Sequence, residues 1–112
     1  MQRIYIDFSV FAPFGAVGVI DGYMECSATP RAGENISFTS PKPGVPPVVV
    51  PGFTGFVNVE HVVHSANAGG PVALSLATVT LTDNEYVSLL AKFMEDGFGL
   101  GFTPHPNWLG SA

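Results

Sequence analysis

The chain has 112 residues, of which 12% are charged and 46% hydrophobic, and its formal net charge is -5 at pH 7. Its four basic residues are scattered along the sequence, which argues against a nucleic-acid partner because phosphate binding requires a clustered positive surface. No run approaches the roughly 20 apolar residues of a membrane-spanning helix, and the single cysteine cannot form an internal disulfide. We therefore expect one cytoplasmic domain over residues 1–112, with no membrane partner.

The low proportion of charged residues bears on the oligomeric state. Soluble domains typically contain about 25% charged residues, so this chain has little charge with which to cover its surface. Exposed apolar surface is a liability in a soluble protein, and association with another subunit would bury part of it. The composition therefore predicts a homo-oligomer, a dimer or larger.

The first part of the chain predicts two strands. Residues 3–10 alternate between apolar and polar side chains, which indicates a half-buried strand and not a signal peptide. Residues 16–28 predict a second strand, interrupted at Asp21 and Gly22. This dipeptide is compatible with a tight hairpin turn or with a bulge in one long strand.

The middle of the chain predicts two further strands around a proline-rich segment. Residues 35–39 form a short strand, and residues 40–52 contain five prolines, typical of a surface connector. Residues 53–65 predict a fourth strand, in which Val57, Val59, His61 and Val63 share one face. Because that face is apolar, we expect His61 to be buried.

The strongest local signal is a strand at residues 72–81 followed by a helix at residues 83–96. The strand is apolar first on one face and then on the other, so it should be central and covered on both faces. Thr82 and Glu85 have the spacing of a capping box, and Gly97 predicts the end of the helix. The helix has an apolar stripe, which comprises Tyr86, Val87, Leu89, Leu90, Phe93 and Met94.

The segment at residues 98–109 is too hydrophobic to be a free tail. It docks either on its own sheet or on a neighbouring subunit, and the sequence does not decide between the two. Together the elements predict an α+β fold, with an antiparallel sheet of about five strands and the amphipathic helix at 83–96 packed on one face.

The only cluster that resembles a metal site is formed by Glu60, His61 and His64. On a helix, residues four apart could bind one ion, but the alternation here predicts a strand. Glu60 and His64 would then lie about 13 Å apart, and His61 would point to the other face. We therefore predict no metal, no cofactor and no defined catalytic residues, although acid/base chemistry by Glu60 and His64 is an alternative.

A second candidate site comes from the polar faces of the predicted strands. If the strands are adjacent, their polar side chains could line a shallow, acidic, ligand-binding pocket, although the wet face of an antiparallel sheet would look the same. The candidate ligand-binding residues are Tyr5, Asp7, Tyr23, Glu25, Glu60 and His64.

In size and layout the chain resembles the uncharacterised small bacterial orphan proteins carried on mobile gene cassettes. The segments that carry this resemblance are Pro30, Arg31, Ala32, Gly33 and Glu34, and Val59, Glu60, His61, Val62, Val63 and His64. The resemblance implies a compact oligomer and brings no functional residues with it.

Three functions are therefore compatible with the sequence. The leading hypothesis is a homo-oligomeric binding module for a small molecule or a protein. The alternatives are a small acid/base or metal-assisted enzyme that uses Glu60 and His64, and a structural subunit of a larger assembly.

Overall fold

The computed structural model describes residues 2–66 and 70–106. Within these ranges the chain forms seven strands and one helix. The strands are β1 (Gln2–Ala12), β2 (Gly15–Cys26), β3 (Asn35–Ser37), β4 (Phe56–Val63), β5 (Val72–Leu76), β6 (Val79–Thr80) and β7 (Gly101–Pro104), and the helix α1 is Glu85–Phe98.

The strands form one sheet in the order β3-β4-β5-β1-β2-β7, with β6 also pairing with β1. The predicted α+β class is confirmed, but the prediction of about five strands was wrong, because the described residues form seven. Most pairs are antiparallel, while β5 and β6 run parallel to β1. The central position therefore belongs to β1, which has β2 on one side and β5 and β6 on the other.

The first two strands form a long hairpin that closes between Ala12 and Gly15. Asp21 and Gly22 are neither a turn nor a bulge, because they pair in regular register with Asp7 and Ile6. The register shift in this hairpin lies instead near its closed end, between Val10 and Phe11. The predicted second strand is therefore continuous.

The segment predicted as one strand at 72–81 is interrupted, and this corrects the expectation that it needs cover on both faces. Ile4 pairs with Val72, and Val10 pairs with Val79. The chain therefore advances by seven residues from Val72 to Val79, while β1 advances by only six from Ile4 to Val10. The extra residue, at Ala77 and Thr78, shifts the side-chain alternation by one. As a result Leu76 and Val79 both enter the same core.

The helix lies two residues later than predicted. The side-chain oxygen Oδ1 of Asp83 accepts a hydrogen bond from the amide of Glu85 at 3.2 Å, so Asp83 takes the role expected of Thr82. At the other end Gly99 adopts a left-handed conformation with φ of 71°. The amide of Gly99 bonds to the carbonyl of Glu95, which is the bond of an αL ending, and the amide of Leu100 bonds to the carbonyl of Met94.

Gly97 is an interior position of the helix, where it allows a close contact. A Cβ at this position would lie 2.8 Å from Cβ of Pro41, so the proline-rich segment packs tightly on the last turn of α1. The buried face of the helix consequently consists of Val87, Leu90, Phe93, Met94 and Gly97. Leu89, predicted in the apolar stripe, is 39% exposed.

One core lies between the sheet and this helix. It contains the alternate residues Ile4, Ile6, Phe8 and Val10 of β1. The proline-rich segment contributes Val50, which is buried, while Val49 is 88% exposed. Residues 101–104 of the predicted tail pair with β2 in the same chain, whereas Trp108 and Leu109 lie outside the described residues. No helix in the described ranges has the length and apolar character needed to cross a membrane.

Candidate functional site

The sheet face that points away from α1 carries a group of polar and aromatic side chains. Direct partners in a β-ladder share a face, so the β1–β2 register identifies this group. We use the name open face for Arg3, Tyr5, Asp7 and Ser9 of β1 and their β2 partners Glu25, Tyr23, Asp21 and Val19. These residues are half-buried or exposed, in contrast to the buried residues that alternate with them in β1.

Tyr5 is the centre of the contacts on the open face. Its hydroxyl donates a hydrogen bond to the carboxylate of Asp21, and its ring meets that of Tyr23 edge to face, with centroids 5.3 Å apart. The hydrogen bond to Asp21, with burial and the nearby charges of Asp21 and Asp7, raises the pKa of Tyr5 to about 12. Tyr5 is therefore fixed in place as a neutral hydrogen-bond donor.

The open face already holds one cation against an aromatic ring. The guanidinium carbon of Arg3 lies 4.5 Å from the centroid of Tyr23, within the range of a cation–π contact. Tyr23 is 47% exposed. Its ring is therefore accessible from solvent in addition to its contact with Arg3.

Among the described residues, the carboxylates of the open face outnumber the positive charge beside them, which comes from Arg3, the direct cross-strand partner of Glu25. Asp7 and Asp21 are direct cross-strand partners, an arrangement that places like charges side by side. Within residues 2–66 and 70–106, Asp7, Asp21 and Glu25 form no ion pair; the salt bridge found there joins Lys92 to Asp96 on the helix. The open face thus has an excess of negative charge.

A groove lies at the end of β4, which is two strands from β1 in the sheet. The β4 groove, as we call it, is a cavity of about 680 Å³ lined by residues 29–32 and 60–64. Its shape depends on a bulge, because Val59 pairs with Leu76 and Val62 with Leu74, which leaves Glu60 and His61 both opposite Ser75. The bulge shifts the alternation and places His61 at the surface, so the prediction that His61 is buried was wrong.

The six candidate ligand-binding residues fall into two places. Tyr5, Asp7, Tyr23 and Glu25 lie together on the open face, as their register requires. The other two, Glu60 and His64, line the β4 groove. In the described part of the chain, no group of three potential metal ligands lies close enough to hold an ion.

Three residues with roles at these places were not singled out from the sequence. Asp21 could have been found, since a hairpin that closes between Ala12 and Gly15 pairs it with Asp7. The contact of Arg3 with Tyr23 follows from the same register. Arg31 had no local signal, because its turn reaches β4 through contacts distant in sequence.

Comparison with known proteins adds no assignment. No protein-family model, no curated protein and no solved structure matches this chain. Function is therefore inferred from the geometry of the open face and of the β4 groove.

Proposed function

We propose that this protein is a binding module that docks a positively charged segment of a partner protein on its open face. The observation that carries this proposal is the combination of an accessible aromatic ring with an excess of carboxylates on the sheet face opposite the helix. Tyr23 supplies the ring, while Asp7, Asp21 and Glu25 supply the charge.

The chemistry of the open face favours a guanidinium or ammonium group. Carboxylates form charge-assisted hydrogen bonds with such groups, and aromatic rings attract cations to their faces. The contact between Arg3 and Tyr23 is an internal example of the same recognition. An incoming arginine could bind beside it or take its place.

The apolar residues around the charges favour a macromolecular partner. Val19 and Phe11 are 38% and 36% exposed along the hairpin, and Val63 of β4, two strands from β1, is 60% exposed. These side chains are spread across several strands and do not line one enclosed cavity, which suits the broad contact of a protein interface. A small ligand would leave most of them in water.

A second copy of the chain is a poorer match for this face. Two copies stacked face to face would oppose three carboxylates to three carboxylates, with one arginine on each side. Like charges brought together at an interface oppose association. The prediction of a homo-oligomer therefore rests on the low proportion of charged residues alone.

The test is a titration with an extended peptide of about eight residues in which arginine alternates with valine, followed by amide chemical shifts. Saturable shifts along β1 and β2, weakened by each of the single substitutions Asp7→Asn and Glu25→Gln, are expected. Glu95→Gln is the matched control, since Glu95 is an exposed acid on the helix. A companion peptide with glutamate in place of arginine should not bind.

Several outcomes would count against the proposal. It would be lost if the arginine peptide left the β1 and β2 amides unshifted, or if Glu95→Gln weakened binding as much as the open-face substitutions. Sedimentation that showed a dimer disrupted by substitution of Tyr23 would assign the face to a second copy instead.

A further inference from the structure

We infer that the β4 groove is a separate site for a small organic anion that also carries a hydroxyl or amine group, such as an α-hydroxy carboxylate. The volume of about 680 Å³ lies within the range of roughly 300–1,000 Å³ found for small-molecule sites. The inference concerns different residues from those that carry the proposed docking of a partner protein.

The walls of the groove are held in place by the backbone. The amide of Gly33 bonds to the carbonyl of Val59 at 2.7 Å, and the amide of Val59 bonds to the carbonyl of Glu34 at 2.8 Å. The side chain of Asn58 adds a bond of 3.0 Å to the carbonyl of Gly33. These contacts attach the turn that carries Arg31 to the strand that carries Glu60 and His64, so the backbone of the site is preformed.

Arg31 is the group that would bind the anion. It is one of four basic residues in the chain, and within the ranges that the structure describes its guanidinium forms no ion pair. Lys92 in contrast is paired with Asp96, and Arg3 lies against Tyr23. A guanidinium presents a fork of N–H donors that matches a carboxylate, and His61 and His64 also line the groove.

The remaining lining explains why the ligand needs more than a negative charge. Glu60 lies in the same groove and would repel a plain anion, but its carboxylate accepts a hydrogen bond from a hydroxyl or an amine. Pro30, Ala32 and Val62 supply apolar surface for a short carbon body. The lining therefore favours a ligand with an anionic end and a donor at short distance from it.

The experiment uses lactate as the probe, with propionate as the analogue that lacks the hydroxyl. Lactate should give saturable amide shifts confined to residues 29–34 and 60–64, and propionate should bind several-fold more weakly. Arg31→Gln should weaken lactate binding by about tenfold or more, which corresponds to about 1.4 kcal/mol. Lys42→Gln makes the same charge change on an exposed loop and should leave binding unchanged.

A second variant tests the role of Glu60 separately from that of Arg31. Glu60→Gln should reduce the preference for lactate over propionate, because an amide replaces the charged acceptor. The inference is overturned if lactate shows no saturation at about 0.1 M, or if Lys42→Gln weakens binding as much as Arg31→Gln. Lactate binding and arginine-peptide binding are measured by shifts on different strands, so either can fail without the other.

Discussion

The hydroxyl of Tyr5 donates a hydrogen bond to the carboxylate of Asp21 across the central hairpin. This bond is the main reason that the pKa of Tyr5 is raised to about 12, from an ordinary value near 10. Because the folded-state pKa is the higher one, the stabilisation is complete below about pH 10 and is lost as the pH rises through about 12. Between about pH 10 and about pH 12, the stability of the Tyr5→Phe variant should therefore fall less than that of the parent protein.

The measurement is an absorbance titration of the tyrosines, paired with denaturant unfolding at several alkaline pH values. Tyr86→Phe, on the helix, serves as the control and should keep the late titration of Tyr5. Asp21→Asn should move that titration to lower pH, since it removes the charged acceptor. An unchanged late titration in Tyr5→Phe would assign the raised pKa to another tyrosine.

The pairing of Asp7 with Asp21 should lower the stability of the fold while it favours binding of the arginine peptide. Like charges directly opposite each other in a sheet are destabilising, so Asp7→Asn should raise the free energy of unfolding by about 0.2–1 kcal/mol. The gain should shrink at high salt, which screens the repulsion. Asp21→Asn should gain less, because Asp21 also accepts the hydrogen bond of Tyr5.

Urea unfolding at low and high salt measures this effect, and the arginine peptide measures its cost. Asp7→Asn should be more stable and yet bind the peptide more weakly, as expected when a functional surface retains unfavourable charge. A variant that is less stable than the parent protein at low salt would contradict the assigned repulsion.

Gly18 of β2 leaves no space for a larger residue where the edge strand β7 packs against it. A Cβ at this position would lie 2.5 Å from the ring of Phe102 and 2.5 Å from the carbonyl oxygen of Thr103. Gly18→Ala should therefore displace β7 and cost about 1–3 kcal/mol. Gly101→Ala on β7 is the matched control, since its nearest atom would be 4.0 Å away, and thermal unfolding should show little change for it. Equal stability of the two variants would contradict the close packing of β7 against Gly18.

The sequence predicted those elements whose side chains alternate without interruption. The alternation of β1 identified Ile4 and Ile6 as core residues, and both are fully buried. Two predictions failed at irregular positions in the sheet, near His61 in β4 and near Thr78 between β5 and β6. A bulge changes which face each later residue occupies, and its position is set by pairing with distant strands. The sequence around each bulge carries no local signal for it.

The candidate site was predictable to the same extent. Asp7 and Tyr23 could be assigned to a polar face from β1 and β2 alone, and the hairpin brings them together. Glu60 and His64 were grouped with them only on the assumption that the strands are neighbours. In the sheet β5 lies between β4 and β1, so these two residues belong to the β4 groove.

Substitutions at the start of the helix test whether Asp83 or Thr82 is the capping residue. Asp83 accepts the amide hydrogen bond of Glu85 at 3.2 Å, so Asp83→Ala should cost about 0.5–2 kcal/mol, as loss of a cap typically does. Thr82 is exposed, and Thr82→Ala should have a small effect. Chemical unfolding of both variants decides between the two, and a larger loss for Thr82→Ala would restore the capping box that the sequence suggested.

The interruption between β5 and β6 gives the last prediction, which concerns deletions. Because the interrupted segment has one residue more than β1, deletion of Thr78 should restore regular pairing and keep Val79 opposite Val10. We expect this variant to fold, with a change in stability below about 1.5 kcal/mol. In a regular strand at 72–81, the same deletion would move Val79 and Leu81 to the opposite face and unfold the protein.

Deletion of Thr80 is the control, since Thr80 is also exposed but lies in regular register with Phe11. Its loss should turn Leu81, which is 1% exposed, out of the core and break the bond from its amide to the carbonyl of Phe11. Removal of a buried leucine side chain costs about 2–5 kcal/mol, so this deletion should be clearly the more damaging. Urea unfolding of the two deletion variants would contradict the bulge if loss of Thr78 were as harmful as loss of Thr80.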